Sequence, residues 1–257
     1  RASHTRASGR SASSRAASSA QVAEMTRTGL VVTSGLGLEE GLESAIAGAE
    51  QDGATVLEIA PLVDPIEFGE EPLEEGESHD DHEHGDEDPH FWFDVARMAT
   101  AAQLMGDALA AETGNEVFRD CGAEVREELL EVDAQVREIL AAVPDDRRVL
   151  VTDHQSFGYF AEAYDFEIAG VVIPGGSTDA EPSSVELAAL VEVVRETGTP
   201  ALFSNTALMS SLVDAVAAEV GGGVTVVPLY VGSVGPEGSG AETYAGMMVT
   251  NSTLIAE

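Results

Sequence analysis

Apolar positions recur along this chain with two different periods, and the switches between them mark out its elements. In TGLVVTSGLGLEEGLESAIAG, a short apolar run at residues 30–33 reads as a strand. A glycine turn follows, then a helix with Leu38, Leu42, Ala45 and Ile46 on one face. ATVLEIAPLV reads as a second strand. Met98, Ala101, Ala102, Met105 and Leu109 predict a helix over 94–112, ended by Gly114. The longest periodic stretch carries Val117, Cys121, Val125, Leu129, Val132, Val136, Ile139 and Val143, with Asn115 as its cap and Pro144 as its stop. A helix over 115–143 would be roughly 43 Å long, too long for one small domain and suited to a strut between two.

Beyond the strut, strands are predicted at 147–152, 168–173, 200–205 and 223–229, with helices near 156–163, 183–197 and 208–219. Short apolar strands alternating with helices imply an α/β fold whose parallel sheet is covered on both faces. Such sheets bind ligands at the carboxyl ends of their strands. The chain thus divides into a segment 1–20, an α/β unit 21–114 with an acidic loop at 67–88, the connecting helix 115–143, and a second α/β unit 144–257. The first segment holds four of the twelve Arg and no acidic residue, and without apolar periodicity it is expected to be disordered or non-native.

Charge narrows the function. The chain carries 47 Asp and Glu against 12 basic residues, all Arg, for a net charge of −35. Such a surface repels nucleic acid and anionic membranes. An acidic surplus without Lys fits a protein adapted to molar salt, where charges are screened within roughly 3 Å. One cysteine, Cys121, excludes an internal disulfide, and its place in a helical stripe predicts a small buried packing residue. No apolar run approaches the roughly 18 residues of a membrane span. No signal segment is visible in a chain that starts at Arg.

Four of the six histidines fall within HDDHEHGDEDPHFWFD. His79, His82 and His84 have acidic or small neighbours, in a stretch equally readable as a weak metal collector or as solvated acidity. His90 differs: Asp88-Pro89 precedes it, and FWF with the start of a helix follows, which positions its imidazole. His154 sits where the 147–152 strand opens into a helix, as a candidate ligand or a capping histidine. Imidazole and carboxylate together suit zinc or manganese. No G-x-S-x-G, H-E-x-x-H, P-loop or dinucleotide fingerprint is present; GLGLEE resembles only half a phosphate loop.

DPHFWFD, then VTDHQSFGYFAEAY, GGSTDAEPSSVELAALVEVVRETG and LYVGSVGPEGSGAETYAGMMVTN together resemble the solute-binding proteins of zinc and manganese ABC transporters, the cluster A-I family with its adhesin-type lipoproteins. The resemblance runs from about Val22 to Glu257. It implies two α/β lobes joined by one long rigid helix, an ion held between them, and His90 and His154 as metal ligands. It also implies two further ligands. One is a histidine early in the first lobe, whose strand and loop are expected to be missing here, leaving a partial lobe; His4 is not assigned to it. The other is an acidic residue before Ser-[LV]-G, where Gly232 stands; Glu237 and Glu242 are nearby.

The resemblance therefore implies an extracytoplasmic receptor, anchored or secreted, that captures Zn²⁺ or Mn²⁺ and passes it to a permease and its ATPase. It would be monomeric, and not an enzyme. Phe91 and Trp92 are expected in the cleft wall or the core, and Glu181-Pro182-Ser183 in a turn that caps the next helix. Two rivals use the same residues: a metal-dependent hydrolase, and a metal buffer working through the His-rich loop.

Overall fold

The computed structural model describes residues 24–25, 27–39, 41–68, 87–173, 183–206, 211–221 and 223–257. The 1–20 segment, His79, His82, His84 and Glu181-Pro182 lie outside the described residues.

Strands β1 (Leu30–Thr33) and β2 (Thr55–Glu58) pair in parallel, Leu30 opposite Thr55 and Thr33 opposite Glu58. Helix α1 (Glu43–Gln51) makes the crossover between them. The GLGLEE turn cradles no phosphate, because the Glu39 carboxylate accepts the Ser34 and Gly35 N–H groups itself, at 2.6 and 3.0 Å.

Helix α2 (Val95–Thr113) begins where the Asp94 side chain accepts from the N–H groups of Ala96 and Arg97, and ends on Gly114 at φ 68°. Both ends follow from local chemistry: aspartate satisfies the first free amides, and glycine takes the left-handed turn without strain. Helix α3 (Val117–Leu140) is shorter than the predicted strut; its 24 residues span roughly 36 Å. Its apolar stripe is buried only towards the C-terminus, at Leu129, Val136 and Leu140, while Val117 is 65% exposed.

Cys121 is exposed, contrary to the expectation of a buried packing residue. The cause is a glycine contact one position further around the helix. A Cβ on Gly106 of α2 would lie 2.6 Å from the Phe118 carbonyl oxygen and 2.9 Å from Gly122 Cα. The backbones of α2 and α3 meet at Gly106 and Gly122, which turns Cys121 outward. Gly106→Ala is therefore expected to lower thermal stability by about 1–3 kcal/mol despite alanine's better helix propensity. A higher melting midpoint in the variant would show the contact to be slack.

The second sheet has four parallel strands in the order β4-β3-β5-β6: β3 (Val149–His154), β4 (Glu167–Ile173), β5 (Ala201–Asn205) and β6 (Thr225–Leu229). Helices α4 (Gly158–Tyr164), α5 (Ser184–Thr197) and α6 (Ser211–Val220) connect them. On β3, Leu150 packs with Phe157, Phe160 and Phe203, while Val151 packs on the other face with Val172, Leu190 and Val213. Burial on both faces accounts for the unbroken apolar strands.

Helix α7 (Tyr244–Ala256) was not predicted. It carries no clean polar stripe because it packs against both α3 and the end of the sheet, with Met247 and Met248 buried. Its buried Asn251 side chain is matched to the Tyr230 backbone, accepting its N–H at 3.0 Å and donating to its carbonyl at 2.7 Å.

Helix α4 ties α2 and α3 together. The buried Tyr164 hydroxyl, its pKa raised chiefly by burial, donates to Asp133 of α3 at 3.0 Å and accepts from the N–H of Val95 on α2 at 3.4 Å. Arg148 donates to the carbonyls of Leu140, Val143 and Tyr164, closing the C-terminal end of α3.

Candidate metal centre

His90 is held from several sides. The Asp88 carboxylate Oδ1 accepts both from the His90 backbone N–H at 2.9 Å and from its ring Nδ1 at 2.6 Å. Phe91–Phe93 then form a single 3₁₀ turn running into α2. Phe91 and Phe93 are buried, and Phe93 stacks on Phe157 with ring centres 4.4 Å apart. Trp92 meets the His90 ring edge-on at 5.2 Å. Its indole N–H donates to the Val231 carbonyl at 3.1 Å, and Tyr244 donates to the Trp92 carbonyl at 2.8 Å. Phe91 and Phe93 are thus core, and the half-buried Trp92 packs against that core beside His90.

His154 is the last residue of β3, not just past it. Its Nδ1 pairs with Asp153 Oδ1 at 2.9 Å, and Asp153 Oδ2 accepts the Asn205 N–H of β5 at 2.7 Å. The imidazole therefore stands at the carboxyl end of a central strand, oriented by the strand beside it.

The fold brings these two histidines together across 64 residues of sequence, with ring centres 5.8 Å apart and planes at 71°. A carboxylate at each Nδ1 places the ring proton there and leaves Nε2 as a free electron-pair donor. Two imidazoles sharing one zinc through bonds of about 2.0–2.1 Å hold their ring centres roughly 5 to 6 Å apart, so the observed spacing suits one ion. Asp88 and Asp153 are each 1% exposed, and among the described residues neither is paired with an arginine. Two buried aspartate side chains behind two neighbouring rings make a polar arrangement that a divalent cation can complete.

Among the described residues, no set of three His, Cys, Asp or Glu side chains converges on one point. Gly232 follows Val231, whose carbonyl holds Trp92, and a Cβ built there meets nothing within 4 Å. Glu242 is engaged locally: its carboxylate accepts the Gly238 N–H at 2.6 Å, and such backbone hydrogen bonds lower its pKa. Sequence reasoning missed Asp88 and Asp153 as partners of the histidines. With 47 acidic residues, an Asp beside a His carried no signal.

Two parallel sheets with helices, one long helix packed on the Val95–Thr113 and Tyr244–Ala256 helices, and a histidine pair backed by buried aspartates are what a metal-ion solute-binding protein of two lobes would present. The family model described as ZnuA, zinc-uptake complex component A periplasmic, matches residues 7–257, and the chain belongs to that family. Three curated relatives are similar. The manganese-binding lipoprotein MntA of Halalkalibacterium halodurans is 28% identical over 219 residues, 84% of this chain and 67% of that protein. The zinc-binding protein TroA of Treponema pallidum is 31% identical over 176 residues, 66% of this chain and 56% of that protein. The manganese-binding lipoprotein MntA of Bacillus subtilis is 29% identical over 253 residues, 94% of this chain and 76% of that protein. This chain thus spans between 56% and 76% of the length of these relatives. The solved structure of the periplasmic zinc-binding protein TroA from Treponema pallidum superposes with a TM-score of 0.78 at 26% identity, covering 94% of this chain and 84% of that one.

Proposed function

We propose that this chain is the extracytoplasmic metal receptor of an ABC importer, gripping one divalent ion between His90 and His154 and handing it to a permease driven by its ATPase. The observation that carries this reading is the pair of buried imidazoles 5.8 Å apart, each fixed at Nδ1 by a buried carboxylate. In this reading residues 21–114 and 144–257 are the two lobes, and the helical region 115–143 joins them. The ion is cargo and leaves unchanged, so the protein is not an enzyme. Zinc and manganese both fit as cargo, and relatives named for each metal support that pair of ions. The protein works as a monomer, held at or released from the outer face of the membrane.

Zinc and manganese titrations of the purified chain, read by chelator competition and elemental analysis, test the assignment. One ion per chain is expected, and His154→Ala should weaken zinc binding by about a hundredfold or more, about 2.7 kcal/mol. Unchanged zinc content in both His90→Ala and His154→Ala would place the site elsewhere.

A further inference from the structure

We propose that Tyr159 and Gly158, in the first turn of α4, are positioning residues for the metal site that act on His90 through Asp88. The inference rests on the metal-receptor reading and concerns how one lobe orients the ligand of the other. Tyr159 is fully buried and touches neither imidazole through its hydroxyl. That hydroxyl donates to the Asp88 carbonyl at 2.7 Å and accepts the Ile66 N–H at 3.2 Å. The Asp88 N–H donates in turn to the Ile66 carbonyl at 2.8 Å, beside an antiparallel bridge between Glu67 and Glu87. One phenol from α4 therefore fastens both strands of that bridge.

Asp88 is restrained at every polar group: its N–H by Ile66, its carbonyl by Tyr159, its carboxylate by His90. Gly158 closes the remaining side, where an added Cβ would lie 2.8 Å from Asp88 Oδ2 and 3.2 Å from Ile66 Cδ1. The Tyr159 ring is itself held under the Arg97 guanidinium at 5.0 Å. Arg97 reaches the carbonyls of Val63 and Asp64 and the carboxylate of Glu162. Burial pushes the Tyr159 ionisation up, so the phenol keeps its proton and remains a donor. The segment 154–159 thus supplies one imidazole directly and orients the other at second hand. Hydrogen-bonded partners that orient a ligand from behind typically change metal affinity by about 10- to 100-fold when removed.

Zinc affinity measured by chelator competition on the whole chain tests this, together with the metal-free melting midpoint. Tyr159→Phe keeps the ring and its contact with Arg97 and removes only the hydroxyl; zinc affinity should fall about tenfold or more. In a His90→Ala background, the residual zinc binding at high zinc concentration should no longer respond to Tyr159→Phe, because the effect passes through His90. Gly158→Ala pushes on Asp88, so it should lower zinc affinity and, like Gly106→Ala, cost folding stability as well, which leaves Tyr159→Phe to separate affinity from stability. Wild-type affinity in both Tyr159→Phe and Gly158→Ala, with His90→Ala still impaired, overturns the inference and leaves the receptor reading standing. An equal loss from Tyr159→Phe in both backgrounds also overturns it, as general loosening. No loss in either His90→Ala or His154→Ala overturns the receptor reading.

Discussion

Gly232→Asp is expected to tighten zinc binding by at least tenfold, about 1.4 kcal/mol. The proposed site has two imidazoles, and among the described residues no carboxylate joins them to make a set of three. Gly232 stands where the resemblance in sequence implies an acidic ligand, one position after Val231, the residue that anchors Trp92 beside His90. Its backbone lies outside the left-handed region and a Cβ there meets no neighbour, so aspartate costs neither strain nor a clash. Each further anionic ligand adds coordination energy and charge neutralisation. Gly232→Asn, of the same shape without the charge, should give much less. Chelator competition checks the result. The gain should also require His154, so Gly232→Asp affinity that survives His154→Ala would point to a separate surface site. An affinity within about twofold of wild type would sink the prediction.

Phe93→Ala should cost about 3–5 kcal/mol of folding stability, the usual range for emptying a fully buried aromatic position. Phe93 is 0% exposed, stacks on Phe157 in the turn before α4, and occupies the turn that follows His90. It ties the α2 end of one lobe to the β3–α4 turn of the other, so neither side can collapse freely into the cavity. Against a total stability of about 5–15 kcal/mol for a typical domain, the loss is a large fraction. Urea unfolding should show a lower midpoint, with zinc affinity reduced alongside because His90 loses its floor. A change below about 1 kcal/mol would mean that the aromatic stack is not structural.

Much of the fold was legible because its forces are local. The strand at Leu30–Thr33 matches the predicted bounds, and the helix from Asp94 is visible in its cap, its stripe and its terminal glycine. The four strands of the second sheet show as apolar runs because both faces are buried. Where burial arises from contacts distant in sequence, reading failed. Cys121 lies in an apolar stripe, yet the Gly106–Gly122 approach rotates it into solvent. Helix α7 has no stripe because neighbours cover more than one of its sides.

By itself, the sequence determined the α/β alternation, the acidic surface, and His90 and His154 as the histidines set in structured surroundings, since periodicity, capping and proline act within a few residues. Only the tertiary structure decided the strand order β4-β3-β5-β6, the 5.8 Å meeting of two rings from opposite lobes, and which two of 47 acidic residues stand behind them. Those depend on packing between segments far apart in the chain. A buried hydrogen bond such as Asp88 to His90, or Asp153 to His154, differs from its many solvated counterparts only in what the rest of the molecule places around it.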